Sequence, residues 1–80
     1  MNTREAAVDR ILRLCSENNL SINGLATVSA VPPSTLKNII YGVSENPGIV
    51  TIKSLCDGFG MTLAEFFDTD EFNNLEQEIK

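Results

Sequence analysis

Apolar residues recur every three or four positions over several short stretches of this chain, and polar turns separate the stretches. This is the pattern of amphipathic helices. In the first stretch four apolar residues are spaced i, i+3, i+4 and i+7, which predicts a helix with one buried face: Val8, Ile11, Leu12 and Cys15. We expect this helix to begin at Asn2, with Glu5 completing a capping box, and to end at residues 18–19.

Residues 21–42 predict two short helices joined by a tight corner. Ser21 is a favourable N-cap, and four residues of the first helix follow at helical spacing: Ile22, Leu25, Ala26 and Ser29. The corner falls at residues 30–32, because a residue that precedes proline is pushed out of the α region. Pro33 opens the second helix, where its missing N–H costs nothing. This helix turns Leu36 and Ile39 inward, and Gly42 ends it.

Three further helices are predicted beyond a turn at residues 46–48. The first of them begins with Thr51 as its cap, ends near Phe59 before Gly60, and turns four residues inward: Ile52, Leu55, Cys56 and Phe59. The next opens with a capping box between Thr62 and Glu65 and contributes Leu63, Phe66 and Phe67. A last short helix from Asp70, with Phe72, Leu75 and Ile79 on one stripe, would be marginal without packing. No segment alternates as a strand does, so the predicted fold class is all-α.

The outward face of the helix after the corner carries the clearest functional signal. Four polar residues remain on that face: Ser34, Thr35, Lys37 and Asn38. Short donors and acceptors of this kind suit base edges and phosphates. A solvated face without a partner is the competing interpretation, and composition alone favours it. These four residues lie on the second of two helices joined by a corner, which is the arrangement of a helix-turn-helix. That position favours DNA contact.

Composition and charge restrict the other classes of function. Eighty residues make one small domain of net charge −5. Residues 1–53 hold five basic and four acidic side chains, whereas residues 54–80 hold one basic and seven acidic. The helix-turn-helix is therefore close to neutral, and the acidic excess lies at the other end. This distribution eases the conflict between a negative chain and phosphate binding.

Little in the sequence favours catalysis, a metal or a membrane. The chain has no histidine, which is the commonest general base and metal ligand. Cys15 and Cys56 form no metal or redox motif and are interpreted as buried thiols of a reducing cytoplasm. No apolar run approaches the ~20 residues that cross a bilayer, and no export leader is evident. We therefore expect a cytoplasmic protein that is not an enzyme and has no cofactor, metal or small-molecule ligand.

Several of these features occur in a specific order between residue 3 and about residue 67. They are Leu25-Ala26, Val31, Ser34-Thr35-Leu36, Gly42, Asn46-Pro47, Thr51 and residues 63–67. Together they resemble the lambda-repressor-like domain of the Cro/Xre family, in particular short stand-alone regulators of Gram-positive bacteria and their phages. The resemblance implies a five-helix DNA-binding domain over residues 1–67, followed by an acidic tail or short helix over residues 68–80. It also implies a transcriptional regulator, typically a repressor that binds a palindromic operator in double-stranded DNA as a homodimer.

The resemblance also implies specific contacts. It makes the helix at residues 33–41 the recognition helix, with base contacts from Pro33, Ser34, Thr35, Lys37 and Asn38. It assigns contacts with the sugar-phosphate backbone to Ile22, Asn23, Tyr41, Ser44 and Asn46. For Tyr41, packing at the helix end competes evenly with a phosphate contact. The chain departs from the family at Pro33, where a long polar residue is usual, at Ala30, where glycine is common, and at Gly24.

Four phenylalanines within fourteen positions are hard to bury together in so small a domain. Phe59 and Phe66 are assigned to the core. The other apolar residues of this end either form a dimer contact or fold back over the same molecule's core: Phe67, Phe72, Leu75 and Ile79. An alternative function uses the same fold as a protein-interaction module, such as an antirepressor, antitoxin or accessory subunit. The acidic composition and Pro33 favour that alternative.

Overall fold

A computed structural model describes residues 1–42 and 46–79, and these residues form helices and turns without a strand. The helices in chain order are α1 (Thr3–Glu17), α2 (Ile22–Ser29), α3 (Pro33–Ile40), α4 (Ile49–Phe59), α5 (Leu63–Phe67) and α6 (Asp70–Asn73). The predicted all-α fold with a helix-turn-helix is confirmed. Within the two described stretches, no helix combines the length and apolarity that crossing a membrane would need.

The first helix begins at the expected cap but turns a different face inward. Asn2 Oδ1 accepts a hydrogen bond of 2.8 Å from the backbone N–H of Glu5. Leu12, which was predicted to be buried, is 43% exposed, whereas Ala7 and Leu14 are buried together with Ile11. The buried arc is centred on these three residues, and Leu12 lies about 100° round the helix from Ile11. The prediction for Leu12 is therefore wrong.

Helix α4 begins earlier than predicted, with its N-cap three residues before Thr51. Gly48 is its N-cap in an extended conformation, and Gly48 O accepts a hydrogen bond of 3.1 Å from the N–H of Ile52. Thr51 lies inside the first turn and is not the cap. Glycine is itself an acceptable N-cap, so the helix starts directly after the turn at residues 46–48. The earlier start leaves Val50 75% exposed, and the predicted end before Gly60 is confirmed by its left-handed backbone.

The core is formed by the inward sides of five helices. Its largest fully buried side chains are Ile11, Leu25, Leu36, Ile39, Leu55 and Phe66. Helix α2 makes its most extensive contacts with α4. These two helices approach closely where Gly58 faces Ser29, because a Cβ atom on Gly58 would lie 3.0 Å from the Ser29 Cβ. The corner between α2 and α3 therefore rests directly on the backbone of α4.

The carboxyl-terminal part folds back over the core. The predicted capping box of α5 is confirmed, since Thr62 Oγ1 and the Glu65 side chain each accept the other residue's backbone N–H. The Phe67 ring packs edge-on against the rings of Phe66 and Phe72, with 4.9 Å between centroids in both pairs. Phe72 accordingly covers its own core, as one of the two alternatives for this segment required.

The predicted helical stripe of Phe72, Leu75 and Ile79 is wrong, because α6 ends at Asn73. Asp70 O accepts the backbone N–H of Asn74 at 3.1 Å and also its side-chain amide at 2.8 Å, and Asn74 is the C-cap at which the helix ends. Leu75 and Ile79 lie beyond the helix, and Ile79 is 87% exposed.

Three arginines of α1 each bind a different later helix. Arg4 Nη2 donates a hydrogen bond of 2.8 Å to Ile39 O at the end of α3. Arg10 donates to the carbonyls of Phe66 and Glu65 in α5, at 2.8 and 3.0 Å. Arg13 pairs with Glu71 of α6 at 3.0 Å. Because a cation is favourable at the carbonyl end of a helix, Arg4 and Arg10 stabilise the helix ends they bind.

Candidate nucleic-acid interface

The corner between α2 and α3 is held by a buried serine and a left-handed alanine. Ala30 has φ 58° and ψ 23°, the left-handed backbone conformation that glycine adopts most readily. Ser29 Oγ donates a hydrogen bond of 2.6 Å to Leu25 O and accepts one of 3.3 Å from the N–H of Val31. These bonds connect the last turn of α2 with the residue that leads into α3, so they fix how the chain turns.

Helix α3 has a buried apolar edge and, opposite it, an exposed polar edge. Leu36 and Ile39 are 0% and 2% exposed. The opposite edge consists of the exposed residues Pro33, Ser34, Lys37 and Asn38, with Thr35 half-buried beside them. No hydrogen bond or ion pair links the four polar side chains of this edge to any other described residue. The orientation predicted from the periodicity is confirmed, and the polar groups remain available for a partner.

The charge distribution suits a polyanionic partner at this edge. Lys37 is the one charged residue between Glu17 and Glu45 in the sequence. Two carboxylates of the acidic end are held against α1 instead, where Thr3 Oγ1 donates 2.7 Å to Glu78 and Arg13 binds Glu71. A backbone hydrogen bond and the Arg13 guanidinium hold the pKa of Glu71 below its ordinary value. Two of the seven acidic side chains of residues 54–80 are therefore attached to a helix other than α3.

The first turn of α2 offers backbone donors. Ser21 Oγ accepts the N–H of Gly24 at 2.9 Å, and Ser21 O accepts the N–H of Leu25 at 2.9 Å. The N–H groups of Ile22 and Asn23 have no acceptor among the described residues, as is usual at a helix start. Asn23 is exposed, whereas Ile22 is half-buried and packs against the core. Ile22 can therefore offer its backbone rather than its side chain.

The other predicted backbone contacts lie beyond the last turn of α3. Tyr41 is its C-cap and is 69% exposed, so most of the ring lies in solvent rather than against the helix end. Asn46 is exposed just before α4, and Ser44 lies outside the described residues. Ser29 holds the corner before α3 and Arg4 binds the end of α3, and neither role was predicted. Arg4 gives no local signal, because its acceptor lies 35 positions further along the chain.

The predicted dimer residues are partly engaged within the chain. Phe67 and Phe72 are half-buried in the aromatic cluster with Phe66, and Leu75 is half-buried beyond it. Of the four, Ile79 is the residue that lies mostly in solvent.

A helical domain in which a buried corner presents the polar edge of the following helix is a helix-turn-helix domain. The sequence pattern of the Cro/C1-type HTH DNA-binding domain matches residues 10–71 of this chain, and the chain belongs to that family. The expected relationship to the Cro/Xre regulators is thereby confirmed.

A solved structure supports the same fold. The chain is similar to the crystal structure of prophage Lp1 protein 11, with 32% sequence identity and a TM-score of 0.81. The match covers 94% of this chain and all of the other. No curated protein matches the sequence significantly.

Proposed function

We propose that this protein is a sequence-specific transcriptional regulator, a repressor that binds a palindromic operator as a dimer through α3. The observation that supports this most directly is the division of α3 into a buried apolar edge and a bare polar edge. In helix-turn-helix proteins the second helix of the motif enters the major groove. The polar edge of α3 is thus suitably exposed to read bases.

Each side chain of the edge has a distinct proposed role. Asn38 is suited to paired hydrogen bonds with adenine, and Lys37 to guanine or a phosphate. Pro33 and the Thr35 methyl offer apolar contact with a thymine methyl, and Ser34 a single hydrogen bond. A good base contact contributes about 1–3 kcal/mol of discrimination. Phosphate contacts from Tyr41, Asn46, Ser44 and the N–H groups of Ile22 and Asn23 would set the orientation without reading sequence.

The low positive charge of α2 and α3 in one copy favours binding of DNA by two copies together. A single lysine on the edge neutralises few phosphates, so a monomer would bind weakly. Two copies reading half-sites about 34 Å apart would double the contacts. We propose that the contact between copies uses the exposed parts of Phe67, Phe72, Leu75 and Ile79. The proposed setting is the cytoplasm of a bacterium or of a phage-infected cell, which the similarity to a prophage protein supports.

The experiment begins by selecting bound sites from a random duplex pool. The selected site is then titrated with the wild type, Asn38→Ala and Tyr41→Phe. Asn38→Ala should lose preference at one base position, whereas Tyr41→Phe should weaken all sequences alike. Asn73→Ala, the same change on the exposed surface of α6, should bind as the wild type does.

Equal losses on all sequences for both variants would contradict the base-reading role of Asn38. Failure to enrich any site, with no DNA retained at low salt, would contradict DNA binding itself. Sedimentation of the complex should show two copies per selected site, and a palindrome among the selected sites should mirror them.

The second candidate is a protein-interaction module on the same fold, and the net charge of −5 favours it. Salt dependence separates the two candidates. A DNA binder with several phosphate contacts loses affinity steeply as salt rises, because bound counterions are released on binding. An interaction module would retain no DNA even at low salt.

A further inference from the structure

We infer that Arg4 is a positioning residue for DNA recognition, which sets the placement of the last turn of α3 without touching DNA. This inference rests on the proposed function. Arg4 Nη2 donates to Ile39 O at 2.8 Å, and the side chain is half-buried against α3. Gly42, which has φ +88°, lies beside the same guanidinium, since a Cβ there would be 3.4 Å from Arg4 Nη2. The arginine therefore occupies the turn at which α3 ends.

The Arg4 hydrogen bond satisfies a backbone carbonyl that has no partner within the short helix α3. Ile39 O is among the last four carbonyls of α3, which lack partners within the helix. A guanidinium is a strong donor there and also interacts favourably with the negative end of the helix dipole. At its start α3 has Pro32 as N-cap and no side-chain cap bond among the described residues, and the Ser29 hydroxyl holds the corner before the helix rather than the helix itself. Beyond its buried apolar edge, α3 is thus tied down at its carboxyl end.

The restrained turn is the one that carries the proposed base contacts. Lys37 and Asn38 directly precede Ile39, so a shift of this turn moves both side chains. Paired hydrogen bonds to a base edge tolerate little displacement, whereas phosphate contacts carry no sequence information and tolerate more. Loss of Arg4 should therefore reduce discrimination between sequences more than it reduces general affinity for DNA.

The experiment compares Arg4→Met and Arg4→Lys with Arg13→Met. The last is a matched control: it removes the same charge from the same helix, but its guanidinium pairs with Asp9 and Glu71. For each protein we would measure affinity for the selected site and for an unrelated duplex over a series of salt concentrations. Thermal unfolding of each protein would be recorded alongside.

Arg4→Met is expected to lower the ratio of specific to unspecific affinity about tenfold, the size of one lost base contact. The slope of log affinity against log salt should equal that of Arg13→Met. Arg4→Lys should lie between Arg4→Met and the wild type, since it keeps one charged donor.

Either of two results for a folded Arg4→Met protein would overturn the inference. A slope reduced by about 0.9, with specific and unspecific affinity falling alike, would make Arg4 a phosphate contact. An unchanged specificity ratio in a folded Arg4→Met protein would make the bond purely structural. If Arg4→Met does not fold, Arg4→Lys decides, since wild-type discrimination in that variant overturns the inference. Failure of the wild type to bind DNA would instead reject the proposed function.

Discussion

Gly58 of α4 meets Ser29 of α2 at the closest point between these helices: a Cβ atom on Gly58 would lie 3.0 Å from the Ser29 Cβ and 3.1 Å from its Cα and backbone N. Ser29 is the residue whose hydroxyl fixes the corner before α3. A side chain at Gly58 would push against Ser29 and therefore against the corner that positions α3.

Gly58→Ala is expected to destabilise the domain, although alanine favours helix. The helix propensity gained is about 1 kcal/mol, but overpacking against backbone atoms costs about 1–3 kcal/mol. We expect a net loss of up to about 2 kcal/mol in the free energy of unfolding, measured by urea titration. Gly24→Ala is the matched control, since its added methyl would meet only side-chain atoms of Leu20 and Ser21. Equal stability of the two variants would contradict the close approach.

Ala30→Gly is expected to stabilise the protein. Ala30 holds φ 58°, a conformation that costs a residue with a Cβ about 1–2 kcal/mol. Glycine removes this strain but adds freedom to the unfolded chain, so the net gain should be about 0.5–1 kcal/mol. Ala64→Gly, in the right-handed helix α5, should instead lower the stability of the protein by a similar amount. Calorimetry that showed Ala30→Gly melting below the wild type would reject the strain at the corner.

Arg10→Met tests the attachment of α1 to α5. The substitution removes two charged hydrogen bonds to Phe66 O and Glu65 O, and also the cation placed 5.9 Å from the Phe66 ring. Because the site is partly exposed, we expect a loss of about 1–3 kcal/mol. Arg13→Met, which breaks exposed ion pairs, should cost less than about 1 kcal/mol. Denaturant midpoints in the reverse order would contradict this ranking.

Acid should weaken the capping box of α5. The backbone N–H of Thr62, and then its hydroxyl, hold the pKa of Glu65 below its ordinary value of 4.5. A lowered pKa in the folded state means that the carboxylate stabilises the fold above 4.5 and loses this effect as pH falls through the folded value. The stability difference between the wild type and Glu65→Gln should therefore shrink below that pH. An NMR titration placing the Glu65 midpoint at or above 4.5 would refute the prediction.

Local chemistry in the sequence predicted most helix boundaries. Ser21 and Thr62 cap the helices expected of them, Pro33 opens α3, and Gly60 ends α4. Each of these signals acts within a few residues, so it is readable without knowledge of the fold. Thr51 misled because glycine three residues before it served equally well as a cap.

The wrong prediction for Leu12 depended on distant parts of the chain. Which face of α1 is buried depends on the helices packed against it, and periodicity alone placed Leu12 inside. The periodicity of α3 did predict the bare edge, because Leu36 and Ile39 define its inward side. It could not predict Arg4, whose acceptor is an atom of the backbone and has no sequence signature.

The arginines of α1 also set an order on folding. The acceptors of Arg10 lie 55 and 56 positions further along the chain, beyond both α2 and α3. Arg10 of α1 cannot make these two hydrogen bonds until α5 has been synthesised. Such non-local closures slow folding, because a long loop must be ordered before the bond forms. A nascent chain that stops before α5 could form the Arg4 bond to Ile39 O of α3 but would lack both Arg10 bonds to α5.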